Sequence, residues 1–226
     1  MFFWDPTMLI VLPALLLTLY AQWKLSSTFS HYSQVGTRSG LTGAQVAAVL
    51  ARRRNLGVAI EPTGSSLTDH YDPTSNVLRL SESVYGERSI AAVGVAAHEL
   101  GHALQKADGY APLQLRMGLV PLVNFSSGAS MFLFVIGLFA GIPGFLWAGI
   151  AAFSLAVVFA LVTLPVEFNA SSRALVALRE DGLITVQEEP GVRSVLNAAA
   201  LTYVAAALMA ILQLLRLVMI ARNRED

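Results

Sequence analysis

The run Met117-GLVPLVNFSSGASMFLFVIGLFAGIPGFLWAGIAAFSLAVVFALVTLP-Val166 contains no Asp, Glu, Lys or Arg across 50 residues. That is too long for one buried helix. It suffices for two bilayer crossings at about 20 residues each. Gly141-Ile142-Pro143-Gly144 divides it with turn-forming chemistry. The expected product is a transmembrane hairpin, with helices over Gly118–Ala140 and Phe145–Leu164.

The rest of the chain supports a membrane reading. Of 226 residues, 55% are hydrophobic and only 13% are charged, against about 25% charged in a typical soluble domain. Pro6 to Trp23 is uncharged and reads as an uncleaved anchor with Trp4 and Trp23 at its interfaces. A cleaved leader is the weaker alternative, because no basic residue precedes Lys24. Ser194 to Leu215 is a further uncharged stretch of 22 residues. The fold class expected is therefore a mainly α membrane protein with about four transmembrane helices and a small α+β domain. The expected divisions are an anchor at 1–23, a polar domain at 24–116, the hairpin at 117–166, a polar segment at 167–193 and a last helix with its tail at 194–226. The 15 basic and 15 acidic residues cancel, so there is no broad footprint for nucleic acid.

Orientation follows from Lys and Arg near the membrane ends. The polar domain carries nine of them and the 167–193 segment three, Arg173, Arg179 and Arg193. This places both on the cytoplasmic face of the cell membrane. Arg222 and Arg224 disagree, since four spans would put them outside.

Inside the polar domain, Thr42 to Arg54 reads as a capped helix, Val58 to Ile60 as a short strand, and Ser89 to about Lys106 as a second helix. Val77 to Ser81 alternates, with Leu78 and Leu80 on one face of a half-buried strand. Arg52-Arg53-Arg54 closes a helix, where cations are favoured; anionic lipid is the sharper reading of that cluster.

The second helix carries His98-Glu99-Leu100-Gly101-His102, an H-E-x-x-H motif. Residues four apart share a helix face, so His98 and His102 can reach one ion. Glu99 is then placed to take a proton from a metal-bound water. With no cysteine in the chain, any such centre uses imidazole and carboxylate. The bland alternative is an exposed face, but Ile90 to Ala97 is almost wholly small and apolar. Buried imidazoles and a carboxylate need partners, which a shared metal provides.

A third protein ligand is required, leaving one position open for water. His31, His70 and Glu167 are the candidates. The hairpin returns the chain to the membrane face it left, which brings Glu167 back toward His102. A carboxylate at the end of an apolar helix is costly unless paired or metal-bound. The alternative for Glu167 is an interfacial acid paired with Arg173 or Arg116.

Several segments taken together resemble one family. They are His70-Tyr71-Asp72-Pro73, Leu78-Arg79-Leu80-Ser81, Val84-Tyr85, Val95 to Glu99 with Gly101-His102-Ala103, and Pro165-Val166-Glu167-Phe168-Asn169-Ala170-Ser171. This resembles the YugP-type neutral zinc metallopeptidases of bacterial membranes, over about Ser26 to Leu217. The resemblance implies a gluzincin-like centre, in which a Glu on a later helix completes the site; here that is Glu167. One Zn2+ ion held by His98, His102 and Glu167, with Glu99 as catalytic base, is the expected constellation. Asn169 departs from the pattern, where Asp is expected; Asn can still hydrogen-bond to a ligand, but without charge.

The resemblance also implies an edge strand beside the metal that pairs with substrate backbone, a role the Val77–Ser81 strand fits; an ordinary strand in a small sheet is the alternative. For oxyanion stabilisation, His70, Tyr71, Tyr85 and Arg173 are candidates. Arg173 could instead face a lipid headgroup. The expected activity is a zinc endopeptidase acting on membrane proteins or their exposed tails. The rivals are a membrane scaffold or regulator with a structural zinc site, and a metal transporter. The spans carry no ionisable residue, which speaks against transport.

Overall fold

The computed structural model describes residues 6–64 and 68–223, so Trp4 and Arg224 lie outside the described residues. The chain is mainly helical. In order it forms α1 (Met8–Ser33), α2 (Gly43–Arg53), β1 (Ala59–Thr63), β2 (His70–Asp72), β3 (Val77–Ser81), α3 (Glu82–Tyr85), α4 (Ile90–Ala107), α5 (Ala111–Ala140), α6 (Pro143–Glu180) and α7 (Glu189–Arg222). Among the described residues, α1, α5, α6 and α7 are long and apolar enough to cross a membrane.

Two compact units are present. One takes its residues from Met1–Ala21, Gln114–Pro165 and Thr202–Asp226, the other from Gln22–Leu113 and Val166–Leu201. In the first unit, Phe134, Leu146, Ile150, Leu217 and Ala221 form a buried cluster. Its helices meet through small residues. A Cβ on Gly137 would lie 2.5 Å from the Leu146 nitrogen, and one on Gly149 would lie 2.7 Å from the Phe134 nitrogen. Close backbone approach of this kind substitutes for the hydrophobic drive that lipid does not supply. Phe125, Phe132 and Phe139 point outward, Phe125 with 82% of its surface exposed. The α5–α6 connection follows the expected chemistry. Gly141 takes φ +66°, which a glycine adopts without strain, and Pro143 opens α6.

Four helices run further than the sequence pattern suggested, α5 by starting at Ala111, seven residues before Gly118. The first continues to Ser33, ten residues past Trp23. Nothing between Lys24 and Ser33 is Gly or Pro, and polarity alone does not end a helix. Similarly, α6 passes through Pro165 and continues to Glu180. The expected polar segment 167–193 is thus mostly helix, interrupted by a turn at Gly182, φ +64°. The last helix starts five residues before Ser194, at Glu189.

The second unit is built on α2 and α4, whose buried faces join a core that includes Val46, Leu50, Leu78, Leu80, Val93, Leu100, Leu178 and Val192. Both helices start on hydroxyl caps. Thr42 accepts from the Gln45 nitrogen, the Gln45 side chain returns to the Thr42 nitrogen, and Ser89 accepts from the Ala92 nitrogen. The sheet order is β1-β3-β2, with β1 parallel and β2 antiparallel to β3. Val77–Ser81 is therefore the central strand. It cannot be an edge that receives substrate, because both of its margins are already paired. Its burial follows: Leu78 and Leu80 are fully enclosed, and Val77 and Ser81 are buried as well. Pro62 sits on the outer strand β1, where a missing N–H is tolerated.

In the basic cluster at the end of α2, two arginines are engaged by acidic residues. Arg53 pairs with Asp181 at 3.3 Å and Arg54 with Glu180 at 2.9 Å. Entry into α7 is fixed by Glu188, which accepts hydrogen bonds from the Thr185 nitrogen and hydroxyl and from the Arg38 nitrogen. Burial opposes ionisation of Glu188, yet these hydrogen bonds hold its pKa below the ordinary value. Because the folded value is depressed, the stability it contributes is present above the unfolded carboxylate pKa of about 4.3 and is lost as pH falls through the lower folded value. Chemical unfolding followed between neutral pH and acid should show a shallower loss of stability for Glu188→Gln than for the natural chain.

Candidate metal centre

The His pair lies on the part of α4 that packs into the second unit. Its imidazoles meet edge to face, with ring centroids 4.9 Å apart. Glu167, on α6, is 2% exposed. Its Oε2 lies 3.2 Å from His98 Nε2 and 3.6 Å from His102 Nε2. Among the described residues, these three form the one group of three or more metal-ligating side chains whose ligand atoms all fall within 4.8 Å of one another. Two donors bound tetrahedrally at about 2.0–2.1 Å lie about 3.3 Å apart. The observed 3.2 and 3.6 Å bracket that spacing, so the donor set fits a zinc-sized ion.

What lets the carboxylate reach the rings is a glycine. A Cβ on Gly101, between the two histidines, would lie 2.5 Å from the Ala170 carbonyl oxygen and 3.2 Å from its Cα. Only a residue without a side chain allows the α4 and α6 backbones this approach.

Each imidazole is held on its far side. His98 Nδ1 lies 3.1 Å from the Ser171 hydroxyl, and His102 Nδ1 lies 3.0 Å from Gln105 Oε1. Gln105 is fully buried. Its amide nitrogen donates to the Val166 carbonyl at 2.7 Å and to Asn169 Oδ1 at 3.0 Å. Asn169 Oδ1 also accepts from Arg173 Nε at 2.7 Å, and Arg173 pairs with Asp108. Partners of this kind orient metal-binding histidines and raise their basicity. Asn169, the departure from the expected pattern, serves as an uncharged acceptor here.

Glu99 is partly exposed. Burial pushes its carboxyl above the ordinary carboxylate range, against the pull of the His98 and His102 imidazoles. Its Oε2 accepts from the Tyr71 backbone nitrogen at 3.1 Å, which ties it to the edge strand β2.

The other candidates are not part of the ligand group. His70 is exposed, with Nδ1 on the Thr68 carbonyl at 2.7 Å, and His31 stacks edge-on against Tyr32; neither belongs to the ligand group. The Tyr71 hydroxyl is given to Asn76. Tyr85 packs against the hydrophobic core. Arg173, expected toward lipid or Glu167, is engaged by Asn169 and Asp108 and lies over the Tyr110 ring.

Sequence reasoning missed Gln105, Ser171 and the contact at Gly101. Their spacings carried a signal. Gln105 is three residues past His102 and Ser171 four past Glu167, so each shares a helix face with a ligand candidate. Ser171 also lines a cavity of about 480 Å³, walled by Phe168, Leu175 and Val176 of α6 and by Leu196 and Asn197 of α7.

Residues 7–222 match the family described as "Putative neutral zinc metallopeptidase". The chain belongs to this family. It is 50% identical over 218 residues to the "Putative membrane protease YugP" of Bacillus subtilis (strain 168), which covers 96% of this chain and 97% of that protein. No solved structure matches it significantly. The family description names zinc, and the His-His-Glu group offers zinc a set of donors.

The glycine contact yields a paired prediction. Gly101→Ala forces α4 from α6 and should cost about 1–3 kcal/mol of stability, as overpacking does, together with a marked loss of zinc affinity. Gly94→Ala, whose Cβ would lie in ordinary contact with Val192, 3.4 Å from Cγ1 and 4.0 Å from Cα, should leave both intact. Unfolding curves and zinc titrations of the two variants check this.

Proposed function

We propose that this chain is a multi-pass membrane endopeptidase. One zinc ion is held by His98, His102 and Glu167 in a zincin-like, gluzincin-type domain on the cytoplasmic face of the cell membrane. The observation that carries the reading is the convergence of two imidazole nitrogens and one buried carboxylate oxygen within 4.8 Å, beside a further carboxylate on the same helix. Three protein ligands leave a coordination position free, as catalytic zinc sites do; a structural centre is usually closed by four. The donor group contains three such residues among those described, which favours an enzyme over a scaffold with a structural ion.

When bound, zinc supplies Lewis acidity that brings the pKa of water near about 7 and polarises a peptide carbonyl. Glu99 takes the proton of the attacking water on its carboxylate and returns it to the leaving amine nitrogen. The Tyr71 N–H holds that carboxylate in place. The central β3 has no free margin for a substrate strand, and the Tyr71 N–H of β2 is already engaged by Glu99.

Substrates are membrane proteins or their exposed tails. Four helices of membrane-spanning length support this, as does the name of the Bacillus subtilis relative. Orientation rests on the Lys and Arg of the polar segments.

The test compares the natural chain with Glu99→Gln, measuring zinc content and cleavage of casein. Equal zinc with activity lowered about 10²–10⁴-fold is expected. Equal activity in both proteins removes Glu99 from the chemistry.

A further inference from the structure

The Gln105 amide can stand in only one orientation. Its nitrogen faces the Val166 carbonyl, which can only accept, at 2.7 Å, and Asn169 Oδ1 at 3.0 Å. The Asn169 amide is fixed in turn, because its Oδ1 faces Arg173 Nε, which can only donate, at 2.7 Å. Asp108 holds the guanidinium from the other side. Flipping the glutamine would set its oxygen against two acceptors inside a side chain with no solvent exposure. The oxygen of Gln105 is therefore the atom that meets His102 Nδ1, at 3.0 Å, and an oxygen of an amide only accepts.

We propose that Gln105 is a positioning residue. It keeps a proton on His102 Nδ1 and ties that ring to the peptide unit before Glu167, so that Nε2, 3.6 Å from Glu167 Oε2, is the nitrogen left for an ion the two would share. Neutral imidazole left to itself distributes its proton between the two nitrogens. A ring protonated at Nε2 would present an N–H toward the ligand group and could not donate its lone pair there. Many metal-ligating histidines give their second N–H to a carboxylate or backbone carbonyl; here the acceptor is a side-chain amide aligned by a string of fixed donors and acceptors. The same amide bridges the two helices that supply the ligands. His98 has no equivalent constraint, since the Ser171 hydroxyl can donate or accept.

The free Nε2 rests on the proposed zinc reading, because without the ion the Glu167 carboxylate can hold a second proton there; the proton on Nδ1 does not. The experiment uses the full-length chain labelled with 15N-histidine in detergent micelles. Two-bond 1H–15N spectra separate the tautomers, and the His102 signals are assigned by their loss in His102→Gln. Zinc affinity is measured in parallel by titration of the ion alone.

The natural chain should show the His102 proton on Nδ1. Gln105→Met keeps the volume but removes the acceptor. It should release the proton to Nε2 and weaken zinc about 10–100-fold, while unfolding stays cooperative. Gln105→Glu supplies an acceptor but cannot donate to Val166. It should return the Nδ1 proton and most of the affinity, which a residue acting only as a tie between helices would not do. A natural chain with no proton on His102 Nδ1, or a Gln105→Met chain with the Nδ1 proton and the affinity unchanged, overturns the proposal. If the natural chain shows the Nδ1 proton but takes up no zinc, the tautomer assignment stands and the zinc reading falls.

Discussion

The whole site depends on how closely two backbones can lie. α4 and α6 touch at Gly101 and Ala170, with no room for a β-carbon between them. That contact lies between the two histidines on one helix and three residues past Glu167 on the other. At one helical turn per 5.4 Å, a displacement by one side-chain layer would carry the carboxylate out of reach of both rings. The remaining features follow from the approach: the carboxylate is buried to 2%, the rings are crowded edge to face, and Gln105 can span from one helix to the other.

Such a site is costly to build. A carboxylate enclosed among apolar helices loses its hydration, and a polar group buried without compensation is strongly unfavourable. The second unit compensates by leaving few of these groups to chance. His98 is met by Ser171, His102 by Gln105, Gln105 by Val166 and Asn169, and Glu99 by the Tyr71 backbone. Every hydrogen bond in this set joins α4 to another element except that between His102 and Gln105, which links neighbouring turns. The site thus contributes to the packing of the unit as well as to any chemistry it performs.

Much of this was legible in the sequence, for identifiable reasons. Helix caps are local, so Thr42 and Ser89 marked their helix starts correctly. The Gly141–Pro143 connection is local too. The H-E-x-x-H spacing fixes one helix face, and the hairpin pattern brought Glu167 back toward it. What could not be read was set by contacts distant in sequence. The end of α6 at Glu180 falls just before Gly182, φ +64°, rather than where polarity changes, and α1 runs through the polar residues to Ser33. The alternation of Val77–Ser81 gave a strand but not its rank in the sheet, because β1 and β2 close on it from either side. Arg173 and the Arg53–Arg54 pair looked available to lipid only because Asp108, Glu180 and Asp181 are remote from them in the chain. Family membership, with 50% identity to a Bacillus subtilis protein across nearly the full length of both, agrees with the chemistry read from the motif.

The central claim is that a residue 65 positions after His102 completes a metal site begun by the histidine pair. Equilibrium zinc binding to the natural chain and to Glu167→Ala, each shown to be folded, tests it most directly. The account predicts one zinc per natural chain and an affinity lower by at least about 10²-fold once the carboxylate is gone, the upper end of what even outer-sphere changes cost. An ion bound with equal affinity and stoichiometry to both proteins would contradict it.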